Sequence, residues 1–132
     1  MMTANQTKRI LVVDDDIHIR QIISMSLTAE GYEVDTAEDG AKGWSLLAGK
    51  DGSRRRDYDL LVTDNNMPNL SGIGLIGKVH SSGMELPIIL ASGNLPTNAE
   101  TLGLAAIVPK PFLPGTLVEA VRQIFEINAK QN

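Results

Sequence analysis

Ile10-Leu11-Val12-Val13-Asp14-Asp15-Asp16 runs four aliphatic residues straight into three carboxylates. An unbroken apolar run of this length suits a strand buried on both faces, because a half-exposed strand would alternate. Similar runs return along the chain. Leu60–Thr63 leads into Asp64, Ile88–Ala91 into Ser92, and Ala105–Val108 into Pro109 and Lys110. Glu33-Val34-Asp35-Thr36-Ala37 is different, since it alternates as an edge strand does.

Amphipathic segments separate these runs. Ile19, Ile22, Ile23 and Leu27 form a stripe at helical spacing, and Gly31 stands where such a helix stops. Asp39-Gly40 opens a second helix, which carries Trp44 and Leu47 as packing residues. Ser71 caps a third, with Leu75, Ile76 and Val79 turned inward. Thr97 and Glu100 have capping-box spacing for a short fourth. Pro114 suits the first turn of a fifth, with Leu117, Val118, Val121, Ile124 and Phe125 as its apolar stripe. The expected fold is α/β, a (βα)5 chain with a parallel five-stranded sheet covered on both faces. With 132 residues there is room for one such domain, its core spanning about 9–127 between short polar tails.

Composition narrows the function. The formal net charge of −4 gives no general attraction to nucleic acid phosphates. The basic run Arg54-Arg55-Arg56 reads as part of a solvated loop from Gly49 to Asp57. The absence of cysteine excludes disulfides, thiolate metal sites and cysteine nucleophiles, and suits a reducing, cytoplasmic setting. No stretch approaches the ~20 apolar residues of a membrane-spanning helix, and the polar start has no signal-peptide core. Direct nucleic acid binding and membrane insertion are therefore not expected.

In parallel sheets of this kind, ligands sit beyond the carboxyl ends of the strands. Here those ends hold Asp14, Asp15 and Asp16; then Asp64 with Asn65, Asn66, Met67 and Pro68; then Ser92, Gly93 and Asn94; then Lys110 between two prolines. Carboxylates converging there repel, by roughly 4 kcal/mol for two unit charges at ~4 Å and an effective dielectric near 20. Such a pocket needs a cation. Oxygen donors without His or Cys favour Mg²⁺ over zinc. A lysine and a hydroxyl nearby suit a phosphoryl group, and a carboxylate can accept one as an acyl phosphate. Asp16 reads as a cap of the first helix, and His18 and His80 as surface residues.

The stretches Ile10–Asp16, Asp64–Pro68 with Ser71-Gly72, Pro87–Gly93 and Val108–Phe112 together resemble the four motifs of response-regulator receiver domains, in the same order and at matching intervals. The resemblance implies a flavodoxin-like strand order 2-1-3-4-5 and a phosphorelay or two-component role. By position, it makes Asp64 the phosphoacceptor. Asp14 and Asp15 hold Mg²⁺ (or Mn²⁺ in its place), Asp15 directly and Asp14 through water, and the carbonyl of Asn66 adds a ligand. Ser92 turns toward the phosphoryl group and Lys110 pairs with it. Asn66 and Asn94 tune dephosphorylation, and the Lys110–Pro111 bond is cis. The expected partners are a sensor histidine kinase or phosphotransfer protein and a downstream protein target. Such a domain catalyses only its own phosphorylation and dephosphorylation. One departure stands out: the aromatic switch residue many relatives carry three places before the lysine is Ile107 here.

Two other readings compete. Asp14-Asp15-Asp16 also fits the Asp-x-Asp of Mg²⁺-dependent phosphatases of the haloacid dehalogenase type, with Asp14 as nucleophile and Asp16 as acid. That reading leaves Asp64 unexplained and lacks a later acidic pair. A degenerate receiver that only binds proteins would not need the full set Asp14, Asp15, Asp64, Ser92 and Lys110.

Overall fold

In a computed structural model, residues 7–49 and 57–130 are described. Arg54-Arg55-Arg56 and most of the loop read around it lie outside them. The elements run β1 (Arg9–Val13), α1 (Ile17–Ala29), β2 (Glu33–Ala37), α2 (Gly40–Ala48), β3 (Leu60–Thr63), α3 (Gly72–Ser81), β4 (Ile88–Ser92), β5 (Ala106–Pro109) and α4 (Pro114–Lys130). The strands are all parallel, in the order β2-β1-β3-β4-β5. This is the flavodoxin-like order, and the alternating strand is at an edge.

The unbroken runs are apolar because successive side chains enter opposite cores. Ile10 and Val12 of β1 face one core with Leu60, Val62, Ile89, Ala91 and Val108, covered by Ile23 and Leu27 of α1 and Leu117, Val121 and Ile124 of α4. Leu11 and Val13 face the other with Leu61, Ile88 and Leu90, covered by Leu47 of α2 and Leu75, Ile76 and Val79 of α3. Each fully buried Leu or Ile contributes roughly 1.5–3 kcal/mol relative to an exposed one.

The helix starts follow the sequence closely. The side chains of Asp16, Asp39 and Ser71 accept from backbone N–H groups in the first turns of α1, α2 and α3. Gly31 lies just past α1 with φ +97°, a left-handed conformation that glycine adopts without steric cost.

Two expectations are corrected. The fourth of the five helices is absent: between β4 and β5 there is only a single 3₁₀ turn, Ala99–Thr101, with no side-chain cap. Pro96 and Gly103 bracket too few residues for a full helix, and the Thr97–Glu100 spacing therefore marks no α-helix start. Among the described residues the repeat is thus five strands with four α-helices. On α1, Ile22 is turned to solvent, while Ile23 and Leu27 are buried and Ile19 packs against them.

Candidate functional site

The carboxyl ends of β1, β3, β4 and β5 bring together Asp14, Asp64, Ser92 and Lys110. Register places them: Val13 pairs with Thr63, and Ser92 pairs with Pro109. The Asp64 N–H then donates to the Val13 carbonyl at 2.9 Å, and the Lys110 N–H to the Ser92 carbonyl at 3.0 Å. The Lys110–Pro111 peptide is cis, as expected.

The Lys110 ammonium lies between two carboxylates, 2.6 Å from Asp14 Oδ2 and 3.2 Å from Asp64 Oδ2. Asp14 is 2% and Asp64 8% exposed. Each has its other oxygen fixed by backbone, Asp14 Oδ1 by the Asp16 N–H at 2.9 Å and Asp64 Oδ1 by the Asn65 N–H at 2.7 Å. Burial pushes the Asp14 carboxyl above its ordinary value, against the pull of Lys110. For Lys110, burial is the largest single influence and works downward, but the hydrogen bond and charge of Asp14 and the charge of Asp64 outweigh it, so its pKa is raised. The ammonium therefore stays charged over a wide pH range.

Asp15 is exposed on the rim. One carboxylate oxygen each from Asp14, Asp15 and Asp64 lies within 4.8 Å of the others. An all-oxygen, acidic donor set this tight fits a hard divalent cation and suits neither zinc nor copper. Asn66 is exposed on the loop after Asp64. Ser92 is buried at the end of β4, its hydroxyl 3.4 Å from the Asn94 carbonyl and accepting the Asn94 N–H at 3.2 Å. Ile107 is half-buried, at the register position beside Leu90.

The loop after Asp64 is pressed against α3. The Gly72 N–H donates to the Asn65 carbonyl, and the Ile73 N–H to the Asn65 side chain. A Cβ at Gly72 would lie 2.0 Å from the Asp64 carbonyl oxygen. Glycine is required there by close approach, because no side chain fits that gap.

Asp16 sits apart, spending its carboxylate on the His18 and Ile19 N–H groups. Those bonds lower its pKa, the reverse of what a general acid needs. With Asp14 already held by Lys110, the phosphatase alternative is not favoured. His18 and His80 are exposed, as expected of surface residues. Sequence reasoning passed over Arg20, whose guanidinium donates to the Asp14 carbonyl at 2.7 Å. It also gave Asp39 only a helix-opening role. Both depend on loop conformations that no local pattern announces.

Residues 10–122 match the family of response regulator receiver domains, and the chain belongs to that family. Among curated relatives, Protein RcaC of Microchaete diplosiphon is 34% identical over 120 residues, covering 88% of this chain and 18% of that protein. Response regulator MprA of Mycobacterium sp. (strain KMS) is 33% identical over 120 residues, covering 88% of this chain and 50% of that protein. The chain thus spans half or less of the length of these relatives. Among solved structures, a CheY-like response regulator receiver domain protein from Methanospirillum hungatei JF-1 superposes with a TM-score of 0.83 at 26% identity, covering 96% of this chain and 100% of that one. Response regulator protein TrrA from Thermotoga maritima, solved in complex with Mg(2+)-BeF, gives 0.74 at 33% identity, covering 89% and 98%. Among the described residues, no helix is long and apolar enough to cross a membrane.

Proposed function

We propose that this receiver domain accepts a phosphoryl group on Asp64 from a phosphohistidine, and that the modification switches its binding to a protein target. The observation that carries this is the Lys110 ammonium bridging Asp14 and Asp64 beside a third carboxylate. It accounts for four of the five residues of the resemblance, with Ser92 at the neighbouring strand end, and TrrA offers a relative that binds Mg²⁺ together with BeF.

Asp14, Asp15 and Asp64, with the Asn66 carbonyl, would hold Mg²⁺, and Mn²⁺ is a reasonable substitute. The metal supplies positive charge that offsets repulsion between Asp64 and an incoming phosphoryl group. The chain does the rest. The Asn65 N–H holds Oδ1 of Asp64, fixing the carboxylate's orientation. A carboxylate oxygen attacks phosphorus, the P–N bond to imidazole breaks, and the imidazole leaves with its electron pair and takes a proton. The product is an acyl phosphate. Lys110 then follows the negative charge onto a phosphoryl oxygen. Ser92 gives up its weak 3.4 Å contact with Asn94 to donate there too, and the loop after β4 moves with it. The change is a bias between two arrangements of that loop.

In this reading the domain catalyses only its own phosphorylation and dephosphorylation. Its donor is a sensor histidine kinase or phosphotransfer protein in the cytoplasm, and its output is a protein contact, with no direct binding of nucleic acid. The test is incubation with a small acyl phosphate and Mg²⁺, followed by trapping and mass spectrometry. The wild type should be labelled at Asp64 and Asp64→Asn should not be labelled. Asp15→Asn should slow labelling without moving it. A label on Asp14 that persists in Asp64→Asn would overturn the proposal in favour of phosphatase chemistry.

A further inference from the structure

We infer that Asp39, outside the phosphoacceptor site, is a positioning residue for the metal-binding loop and acts through Asn69. The inference rests on the reading of the Asp64 loop as a metal site.

Asp39 is 3% exposed and belongs to the β2–α2 turn, one strand away from the acidic cluster. Capping α2 needs only one of its oxygens, and Oδ1 does this by accepting the Lys42 N–H at 2.8 Å. The second oxygen leaves its own element. Oδ2 accepts from Asn69 Nδ2 at 2.8 Å, across thirty positions of sequence. Beside it, the Gly40 N–H donates to the Leu70 carbonyl at 3.2 Å. A Cβ at Gly40 would sit 2.2 Å from that oxygen, so the two turns touch backbone to backbone.

Asn69 has φ +70° and is alone among the described non-glycine residues in a left-handed conformation. Asparagine tolerates that conformation better than most residues, but a side chain committed to Asp39 also selects it. The loop is therefore pinned twice. Asn65 is held by α3, and Asn69-Leu70 is held by the start of α2. Only Asn66, Met67 and Pro68 span the interval, and Asn66 is the residue whose carbonyl is read as a metal ligand. A backbone ligand has no rotamer with which to correct its aim, so the two anchors set its position. A hydrogen bond to a carboxylate shielded from water is strong enough to matter here.

The test separates the clamp from the cap. Asn69→Gly keeps the left-handed backbone and the α2 cap but deletes the clamp. Asp39→Asn keeps a capping oxygen but removes the charge, leaving only a neutral bond in which Asn69 turns its own oxygen to accept from the new amide. The double variant Asp39→Asn with Asn69→Asp restores the pair with donor and acceptor exchanged. Each is titrated with Mg²⁺ alone, followed by amide chemical shifts. Backbone order of Asn66 and Met67 is measured by nitrogen relaxation in metal-free protein. Asn69→Gly should weaken Mg²⁺ roughly three- to tenfold and lower the order of those two residues, with the amides of α2 unchanged. The exchanged pair should recover both. Wild-type Mg²⁺ affinity and loop order in Asn69→Gly would overturn the inference and leave Asp39 a helix cap. If the wild type itself fails to bind Mg²⁺, the reading of the site falls, and the order measurements on their own decide the clamp.

Discussion

Two loops leave the same end of the sheet and are built in opposite ways. The loop from Asp64 to α3 is tied to other elements: Asn65 to the start of α3, Asn69 to Asp39, and Leu70 to Gly40. Within residues 93–104, between β4 and β5, the bonds are local. Ala99 donates to Pro96, Thr101 to Asn98 and Leu102 to Ala99, while Ser92 and Asn94 pair across two positions. Ala99 is the one fully buried residue of that stretch, and Leu95 and Leu104 pack against the core only in part. The difference matches the division of labour that the proposed function requires. A nucleophile and metal ligands need fixed aim, whereas a loop that reports a chemical event must have somewhere else to go.

The most severe way to break the fixed loop is Gly72→Ala, since its methyl would collide with the Asp64 carbonyl oxygen at 2.0 Å. Backbone has to move, so stability should fall by about 2–3 kcal/mol or more in urea titration, and labelling of Asp64 should fall with it. Gly77→Ala, in the same helix with open space around it, should instead gain roughly 0.5–1 kcal/mol. Equal losses at both positions would mean that the close approach is not what matters.

A smaller effect is expected at the second anchor. Asp39→Ala deletes both the cap and the bond to Asn69 and should cost about 1–2 kcal/mol at neutral pH. The carboxyl is held below its ordinary 3.8, chiefly by the Lys42 N–H and also by the Asn69 amide. A lowered folded pKa means stability that is fully present above 3.8 and lost as pH falls through the folded value. The gap between wild type and variant should therefore close in acid. A gap that stays constant from neutral pH into strong acid would show that Asp39 acts through shape and not charge.

The mildest change should be in the other loop. Two residues inserted after Asn94 should cost no more than about 0.6 kcal/mol, close to the entropy of a longer loop alone. The same insertion after Asn66 should cost more, because five residues must then fit between anchors set for three, and an anchor has to shift or be given up. Chemical denaturation of the two insertion variants measures this, and equal costs would erase the distinction between the loops.

What the sequence shows and what it conceals divide along the same line. The strand runs were legible because each aliphatic stretch serves two cores and admits a polar residue only at its ends. The edge position of Glu33–Ala37 was legible in the charged Asp35 at mid-strand, where the interior strands carry no charge, although its burial does not alternate: Val34 packs in one core and Ala37 in the other. That Asp14, Asp64, Ser92 and Lys110 come together was legible because each stands at the carboxyl end of a strand in one parallel sheet. The short turn at Ala99–Thr101 was misread because capping-box spacing says nothing about whether enough chain follows to build a helix. Ile22 was misread because a stripe wider than the contact surface leaves its flank in water. The Asp39–Asn69 pair and the bond from Arg20 to Asp14 depend on loops meeting in space, and no periodicity records that.

Lys110 and Asp14 are ninety-six positions apart in the chain. The carboxylates of the first and third strands acquire their counter-charge only when the fifth strand docks, so the site is electrostatically completed by a late-synthesised part of the sequence. A nascent chain that has paired its first three strands holds Asp14 and Asp64 without the Lys110 ammonium, the nearby Arg20 guanidinium being engaged by the Asp14 carbonyl. Closing so long a loop is slow compared with local contacts. The two ion pairs of Lys110 thus exist only in a molecule whose sheet has been built through its last strand.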